Sequence, residues 1–419
     1  MTMIAPRNRM GILVAGGPSP GINSVISAAT IRSLVAGVEV VGLLDGFKWL
    51  MQSDITHVRE LTIDLVSRIH FSGGSFIGIA RDNPTKDPKL LEQVVNSLLR
   101  LNIDKLVTIG GDDTAFSAMN VERMAQGRIH VVHVPKTIDN DLDLPAGIST
   151  FGFQTARHYG FEIVRNLMVD ARTTSRWFFV VMMGRKAGHL ALNISKAAGN
   201  TLTLIPEEFP DSSPLTMKRL VNIITGSIIK RLAYGNPDGV AIIAEGLLDK
   251  MPVQDLIALG HLERDEHDNI RFDEIDFGLI MKREVQKRLR ELGIKSVVVA
   301  KNVGYELRCC DPIAFDIEYT RDLGYHAATH LIEGGNAVMA SVQNGKFIPI
   351  PFPDMIDPLT GRARIRMVDP NSDPYKVLQN FMIRLTKEDF DDLGELTKYA
   401  SVAGISVDEF REQFQDAVF

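Results

Sequence analysis

Short runs of aliphatic and β-branched residues alternate along this chain with segments of helical periodicity, and no other feature limits the possible folds so much. Most runs end at glycine, proline or an acidic residue, as strands buried on both faces of a parallel sheet do. The runs occupy residues 10–15, 105–109, 130–134, 177–183, 201–205, 239–244 and 296–300, and the helical segments occupy residues 24–36, 89–101, 115–125 and 215–232. The alternation predicts a layered α/β fold with mainly parallel sheets. A length of 419 residues is enough for two such domains.

The composition is that of an ordinary globular protein, and it argues against two classes of partner. Because the net charge is −6, we expect no general nucleic-acid surface, and an anionic substrate must be held by local basic groups or backbone amides. No apolar run approaches the roughly 20 residues that span a bilayer, and the first residues lack the apolar core of a signal peptide. We therefore expect a cytoplasmic protein with no membrane partner. The two cysteines, Cys309 and Cys310, are adjacent and predict no disulfide framework.

The strand ends carry unusual residues, and ligands of such folds bind at the carboxyl edge of the sheet. The first motif, GGPSPG at residues 16–21, joins a predicted strand to a helix. Its glycines let backbone N–H groups approach an anion, and the helix start adds partial positive charge. It is neither a P-loop nor the dinucleotide motif G-x-G-x-x-G. Taken alone, it could equally be a structural turn.

Two further strand ends carry carboxylates, in GGDDT at residues 110–114 and in PKTIDND at residues 135–141. One or two carboxylates together with phosphate oxygens suit a magnesium ion. A further aspartate can accept the proton of a hydroxyl that attacks phosphorus. The alternative is that Asp139 and Asp141 only cap a turn and the next helix. The neighbouring lysine and the two glycine loops favour phosphoryl chemistry.

Three later motifs could bind the other end of a substrate. MGRKAGHLAL, at residues 183–192, contains Arg185, which can hold a phosphate in bidentate fashion. In AEG, residues 244–246, Glu245 could accept hydrogen bonds from sugar hydroxyls. In GYELRCCDP, residues 304–312, Tyr305 and Arg308 could bind a second anionic group. An ordinary surface role is the alternative for each of these side chains.

Taken in order, the six motifs resemble those of the phosphofructokinase family, and within it the branch that uses pyrophosphate. The match covers about residues 10–345, and six ordered motifs are far more specific than any one of them. The resemblance implies two α/β domains with the active site between them. It implies transfer of a phosphoryl group from diphosphate to the 1-hydroxyl of fructose 6-phosphate, in a nearly reversible step that needs Mg²⁺. It also implies a homodimer or higher homo-oligomer.

The resemblance assigns roles to the residues at matching positions. It implies Asp139 as the general base, Asp112 as the magnesium ligand, and Gly17 and Arg81 as diphosphate-binding residues. Arg176 matches an arginine that often reaches across a subunit interface. The implied sugar-phosphate site consists of Thr137, Ile138, Asp139, Met183, Gly184, Arg185, Glu245, Tyr305, Glu306, Leu307 and Arg308.

The predicted domains follow these roles. Residues 1–150 and about 307–360 are expected to form the domain that binds diphosphate and magnesium. Residues 151–306 and about 361–419 are expected to form the fructose 6-phosphate domain. The polar residues 263–269 predict a solvated loop within that second domain. The stretch 362–419 is expected to pack as helices and is assigned no function.

Asp113 and Lys136 stand at the two positions that decide between ATP and diphosphate as the donor. Together with Asp139 they are the predicted catalytic residues. ATP-dependent members typically have glycine where this chain has Asp113 and Lys136. A carboxylate at the first position would lie where the α-phosphate of ATP must go, and a lysine at the second can touch the transferring group. At about 4 Å and an effective dielectric of about 20, one like-charge contact costs about 4 kcal/mol, which corresponds to a roughly thousandfold bias against ATP. Tyr305 replaces a histidine, as is usual in the pyrophosphate branch.

Three other interpretations stay open at this point. The chain could be an ATP-dependent 6-phosphofructokinase that lost the glycines without losing ATP. It could be a catalytically silent regulatory subunit, although the presence of Asp112, Asp139 and Arg185 argues against that. A nicotinamide dehydrogenase would fit the strand–helix alternation but requires the missing G-x-G-x-x-G motif.

Overall fold

The computed structural model describes residues 8–145, 147–212, 215–252, 254–256, 275–357 and 364–418. The chain forms two compact units: unit 1 comprises Met1–Ala156 and Tyr305–Arg366, and unit 2 comprises Arg157–Gly304 and Met367–Phe419. The chain therefore passes from one unit to the other three times. The domain boundaries proposed from the sequence lie near residues 150, 306 and 360. The loop predicted at residues 263–269 lies outside the described residues.

Strands and helices alternate through most of the chain. The strands are β1 Arg9–Val14, β2 Glu39–Leu43, β3 Val58–Glu60, β4 Lys105–Gly110, β5 His130–Thr137, β6 Phe151–Gly152, β7 Trp177–Met182, β8 Leu202–Leu204, β9 Gly239–Ala244, β10 Val298–Val303, β11 Val338–Met339, β12 Val342–Gln343, β13 Lys346–Phe347 and β14 Ile350–Pro351. The α-helices are α1 Ile22–Val35, α2 Ile63–Val66, α3 Pro88–Arg100, α4 Asp112–Ala125, α5 Phe153–Thr174, α6 His189–Ala198, α7 Met217–Ala233, α8 Phe277–Glu291, α9 Tyr305–Arg308, α10 Ala314–Ile332, α11 Asp373–Phe381, α12 Lys387–Asp391, α13 Leu393–Ala403 and α14 Val407–Phe414.

Unit 1 is built on a sheet of order β14-β11-β5-β4-β1-β2-β3, with β6 paired to β5 outside this path. The pairings are parallel except at the two ends, where β14 and β3 join antiparallel. Val107 of β4 lies opposite Ile12 of β1 on one side and Val132 of β5 on the other. The three central strands therefore end at one edge of the sheet.

The two faces of this sheet are covered by different helices. Because successive side chains of a strand point to opposite faces, neighbouring residues of β1 contact different helices. Ile12 and Val14 of β1 pack with residues of α1 and α10, whereas Leu13 packs with residues of α3 and α4. All three side chains are fully buried. Because both faces are apolar, β1 reads in the sequence as one continuous hydrophobic run.

Unit 2 has a four-stranded sheet of order β10-β7-β9-β8, in which every pairing is parallel. Phe179 of β7 and Ile243 of β9 are buried in a core shared with α7 and α8. The C-terminal helices α13 and α14 add Tyr399 and Phe414 to the same core. The segment that the sequence left without a function is thus part of the packing of unit 2.

The predicted α/β class with mainly parallel sheets is confirmed, but two predicted boundaries near strand ends were wrong and one helical turn was not predicted. Helix α4 begins at Asp112 rather than at residue 115, and β5 continues to Thr137 rather than ending at residue 134. Residues Tyr305–Arg308 form one helical turn, where no helix was predicted. All three differences change where candidate site residues lie.

Candidate active site

Three loops meet where β1, β4 and β5 end in unit 1. The N–H of Ala15 donates to the carbonyl of Ile109 at 3.0 Å, so the start of the GGPSPG loop lies against the end of β4. Ala15 also forms an isolated parallel bridge with Ala80, and the N–H of Gly16 donates to the Ala80 carbonyl at 2.9 Å. This bridge brings Arg81, the next residue, to the same edge of the sheet.

The glycines of the first loop lie next to two cationic side chains. A Cβ atom at Gly16 would lie 3.6 Å from Nζ of Lys136, and one at Gly17 would lie 3.7 Å from Cζ of Arg308. Gly16 also has a φ of +88°, a conformation that side-chain-bearing residues rarely adopt. The ammonium of Lys136 donates to the carbonyl of Gly17. Both cations therefore lie within contact distance of the loop.

Lys136 is the electrostatic centre of this group. Its side chain is only 4% exposed. Burial lowers the pKa of Lys136 to about 8, the neighbouring cations Arg308 and Arg81 act in the same direction, and the carboxylates of Asp139 and Asp112 oppose them. Three cations and two carboxylates of unit 1 thus act on one another at this edge. A bound anion would relieve the repulsion among the cations.

Asp112 and Asp113 occupy the first turn of α4, and not a loop before the helix as predicted. The physical reason is that the N–H groups at a helix start carry partial positive charge, which stabilises carboxylates there. The Gly111 N-cap has extended backbone and makes no side-chain cap. Asp112 is half-buried and Asp113 is exposed. The two aspartates therefore differ in environment.

A buried histidine that the sequence analysis did not single out fixes the start of this turn. His133 of β5 is fully buried opposite Thr108 of β4. Burial lowers the pKa of His133 to about 3, so its ring is neutral at physiological pH. Nε2 lies 3.1 Å from the Gly110 carbonyl, which can only accept, so Nε2 donates and Nδ1 accepts from the Thr108 hydroxyl at 2.9 Å. His133 thereby orients Gly110, directly before the N-cap residue of α4.

The loop after β5 carries Asp139 and is closed by hydrogen bonds between its own ends. The N–H of Asp139 donates to Oγ1 of Thr137 at 3.0 Å. The hydroxyl of Thr150 donates to the Thr137 carbonyl at 2.7 Å, and the N–H of Thr150 donates to Oδ1 of Asn140 at 3.0 Å. Neither Asn140 nor Thr150 was among the predicted residues, because their roles depend on pairing across the loop.

The other predicted residues of unit 1 differ in exposure. Ile138 and Leu307 are buried, so their side chains offer little or no surface to a ligand. Tyr305 and Glu306 are exposed. The ring of Tyr305 lies 5.0 Å from the guanidinium carbon of Arg308, within the range of a cation–π contact.

In unit 2, the loops that follow β7, β9 and β10 pack against one another. The N–H of Gly246 donates to the carbonyl of Gly184 at 3.1 Å. A Cβ atom at Gly246 would lie 2.7 Å from the carbonyl oxygen of Arg185, and one at Gly304 would lie 2.7 Å from Cβ of Met183. Larger residues would separate the loops. The sequence-predicted residues Met183, Gly184, Arg185 and Glu245 are thus brought together within unit 2.

Two further residues of unit 2 bear on this group. Burial raises the pKa of Asp249, and the cations of Arg185 and Lys186 oppose that change, so this unpredicted carboxylate lies within electrostatic reach of both. Arg176 precedes β7, at the end opposite Met183. Six strand residues at about 3.3 Å each separate them by roughly 20 Å. Arg176 therefore does not join these loops within its own chain.

No group of three or more histidine, cysteine, aspartate or glutamate side chains in the described part of the chain has the arrangement of a metal site.

No helix among the described residues is both long and apolar enough to cross a membrane.

Comparison with known proteins identifies the family. Residues 9–331 match the family model described as Phosphofructokinase. The chain belongs to the phosphofructokinase family. The family that the six motifs indicated is therefore confirmed.

Several members of the phosphofructokinase family resemble the chain along most of its length. A pyrophosphate–fructose 6-phosphate 1-phosphotransferase of Naegleria fowleri is 50% identical, with 99% of this chain and 97% of the relative aligned. The protein of that name from Thermotoga maritima is 48% identical, with 97% and 98% aligned. An ATP-dependent 6-phosphofructokinase of Mycobacterium bovis is 32% identical, with 83% and 94% aligned.

A solved structure shows the family fold. The crystal structure of a pyrophosphate-dependent phosphofructokinase from Nitrosospira multiformis aligns with a TM-score of 0.67 over 90% of this chain and 92% of that one. Because the sequence identity is 16%, this likeness bears on the fold alone.

The pKa of Lys136 predicts how activity depends on pH. The charged ammonium is the form that attracts an anion, so kcat/KM for the anionic donor should fall as the pH rises through about 8. A bound anion favours the charged form, so the corresponding fall in kcat should lie at higher pH. Initial rates from pH 6 to 10 measure both profiles.

The Lys136→Arg variant is the matched control, since arginine stays charged throughout this range. Its kcat/KM should be lower than that of the parent but should show no fall near pH 8. A fall at the same pH in the variant would mean that another group titrates.

Proposed function

We propose that this chain transfers a phosphoryl group from diphosphate to the 1-hydroxyl of D-fructose 6-phosphate, giving fructose 1,6-bisphosphate and phosphate, in a reversible step of glycolysis and gluconeogenesis. The observation that carries the proposal is the buried ammonium of Lys136, which lies between the GGPSPG loop and the loop of Asp139. The names and high identity of the two relatives from Naegleria fowleri and Thermotoga maritima support it.

The donor site is proposed at the edge of the unit 1 sheet. Lys136 and Arg81 supply positive charge there, and the backbone at Gly17 supplies a surface without side chains. Arg308, a proposed sugar-phosphate ligand, lies beside them. A diphosphate anion placed here would offset the mutual repulsion of the three cations. In the transition state of a loose phosphoryl transfer, charge is spread over the transferred group, where a fixed ammonium stabilises it.

Asp139 is proposed to accept the proton of the sugar hydroxyl. A carboxylate oxygen placed against that hydroxyl makes it a better nucleophile as the bond to phosphorus forms. In a loose transition state, positioning contributes more than base strength. The hydrogen bonds that close the loop of Asp139 are consistent with such a role.

Mg²⁺ is the proposed cofactor, and Asp112 is the residue that would hold it. A carboxylate oxygen is the ligand type that this ion prefers, and Mg²⁺ is commonly held by one or two carboxylates together with phosphate oxygens. A single half-buried carboxylate close to the proposed donor site fits that pattern. When bound, the ion would neutralise charge on the diphosphate.

The remaining assignments stay predictions. They are sugar-phosphate contacts from Thr137, Ile138, Tyr305, Glu306, Leu307, Arg308, Met183, Gly184, Arg185 and Glu245, a cross-subunit role for Arg176, assembly as a homodimer or higher homo-oligomer, and a cytoplasmic location. Arg176 lies at the end of β7 opposite the proposed ligands of unit 2, which is consistent with a role in a partner subunit. Light scattering of the purified protein tests the assembly.

The proposed choice of donor rests on Asp113 together with Lys136. Because Asp113 is exposed, its charge is better screened than the sequence argument assumed. At a dielectric of about 80, a like-charge contact at 4 Å costs about 1 kcal/mol, roughly a fivefold bias, against about 4 kcal/mol at a dielectric of about 20. We therefore attribute part of the discrimination against ATP to the volume of the Lys136 side chain.

Replacing Asp139 by asparagine tests the proposed base. The substitution keeps the size of the side chain but removes its ability to accept a proton, so Asp139→Asn should lower kcat by about 10²- to 10⁴-fold. The KM for fructose 6-phosphate should change far less. Steady-state rates with diphosphate measure both, and Asp322→Asn, at an exposed aspartate of α10, is the control. Turnover near that of the parent in Asp139→Asn would refute the assignment.

Replacing Asp113 and Lys136 by glycine tests the proposed choice of phosphoryl donor. The parent should use diphosphate and not ATP when each is assayed in turn with fructose 6-phosphate. Asp113→Gly combined with Lys136→Gly should raise the ratio of kcat/KM for ATP to that for diphosphate, by about fivefold to a thousandfold.

Asp113→Asn combined with Lys136→Gly separates charge from size, because asparagine is similar in volume to aspartate. A ratio in this variant close to that of Asp113→Gly with Lys136→Gly assigns the effect to charge. Efficient ATP use by the parent, or an unchanged ratio in both double variants, would contradict the account of donor choice.

A further inference from the structure

The loop that carries Asp139 is held by an arginine that lies 226 residues after Asn140 in the chain. Arg366 is the last residue of unit 1. It is half-buried, whereas its neighbours Ile365 and Met367 are exposed. The chain therefore turns the one charged side chain of these three residues towards the protein and leaves the two apolar ones at the surface.

The guanidinium of Arg366 binds both ends of the loop. Its Nε donates to the carbonyl of Asn140 at 3.1 Å, and Nη2 donates to Oδ1 of the same residue. Its Nη1 donates to the carbonyl of Ile148 at 2.7 Å and lies 3.4 Å from that of Leu144. The backbone N–H of Arg366 donates to the Asp141 carbonyl at 2.8 Å. One planar cation thus spans residues 140 to 148.

Asn140 connects Arg366 to the proposed base, Asp139. We call the hydrogen bonds of Arg366 to residues 140–148 the clamp. Asn140 follows Asp139 directly and has a φ of +56°, in the left-handed region. Its Oδ1 also accepts from the N–H of Thr150 at 3.0 Å. Because Arg366 binds both the carbonyl and the side chain of Asn140, it fixes the backbone conformation that sets the direction of the Asp139 carboxylate.

We propose that Arg366 is a positioning residue for phosphoryl transfer, holding the loop of residues 137–150 so that Asp139 meets the acceptor hydroxyl. The proposal rests on the proposed function for the role of Asp139. The planar fork of arginine is required, because a lysine offers a single point charge and cannot reach acceptors on both sides of the loop together. The residue lies in the stretch to which the sequence assigned no function.

Three variants test the role of Arg366. Arg366→Met removes the clamp, Arg366→Lys keeps the charge without the fork, and Arg364→Met is the matched control at an exposed arginine two residues earlier. Because misplacement of a reacting group by about 1 Å can cost about a hundredfold, kcat of Arg366→Met should fall about a hundredfold. The KM for each substrate should change less than about threefold, since uniform binding is kept.

Free guanidinium ion, added below denaturing concentrations, should raise kcat of Arg366→Met about tenfold by occupying the vacated position, and should not affect Arg364→Met. Arg366→Lys should retain more activity than Arg366→Met, because one contact of the clamp can survive. Arg364→Met should match the parent within about twofold. A folded Arg366→Met with kcat within threefold of the parent, or a loss that guanidinium does not restore, would overturn the proposal. If Arg366→Met does not fold, kcat and KM of Arg366→Lys are compared with those of Arg364→Met, and a kcat of Arg366→Lys within threefold of the parent would overturn the proposal.

Amide hydrogen exchange separates this proposal from the proposed function. In Arg366→Met, peptides covering residues 137–150 should exchange at least about tenfold faster than in the parent, whereas Arg364→Met should leave them unchanged. Unchanged exchange in Arg366→Met would refute the clamp whatever the activity. A parent that exchanges as expected but transfers no phosphoryl group from diphosphate would instead refute the proposed function.

Discussion

The ammonium of Lys136 lies where burial and two neighbouring cations oppose its charge, and the rest of the candidate site is arranged around it. Burying a lone cation costs several kcal/mol. The carbonyl of Gly17 and the carboxylates of Asp139 and Asp112 offset part of this cost. With a pKa of about 8, the group is still charged in about nine of ten molecules at pH 7. Lys136, Arg308 and Arg81 therefore form a group of positive charges that a polyanion can neutralise.

The fold places these groups through its strand order rather than through proximity in sequence. The strands β1, β4 and β5 are neighbours and parallel, so the residues that follow them meet at one edge. His133 then fixes the carbonyl of Gly110, and α4 starts two residues later with its N-terminal N–H groups beside two aspartates. The start of α4 is thus supported by a buried histidine that has no direct role in the chemistry.

Much of this arrangement could be predicted from the sequence, because parallel strands buried on both faces appear as continuous apolar runs. The run of β1 and the glycine loop after it are local signals. The strand β2 carries the same signal but was not identified, since apolar residues of α1 lead into it with only a short break. Strands of two residues, such as β6 and β11, are too short to show any periodicity.

The supporting residues could not be predicted, because their roles come from contacts made far along the chain. His133 is a single histidine within an apolar run, and its role depends on Thr108 and Gly110 of the neighbouring strand. Arg366 stands in a segment without a motif and acts through Asn140. The start of α4 was predicted too late, since glycine and two aspartates were interpreted as a loop, although aspartate is stabilised in the first turn of a helix.

The reverse reaction tests the central claim most directly, because it requires the site to assemble diphosphate itself. Purified protein is incubated with fructose 1,6-bisphosphate, inorganic phosphate and Mg²⁺ in the absence of any nucleotide, and the products are followed by ³¹P nuclear magnetic resonance. The account predicts signals of diphosphate and fructose 6-phosphate, which grow together and are lost in Asp139→Asn. Absence of diphosphate under these conditions, with product formed only when ADP is added, would contradict it.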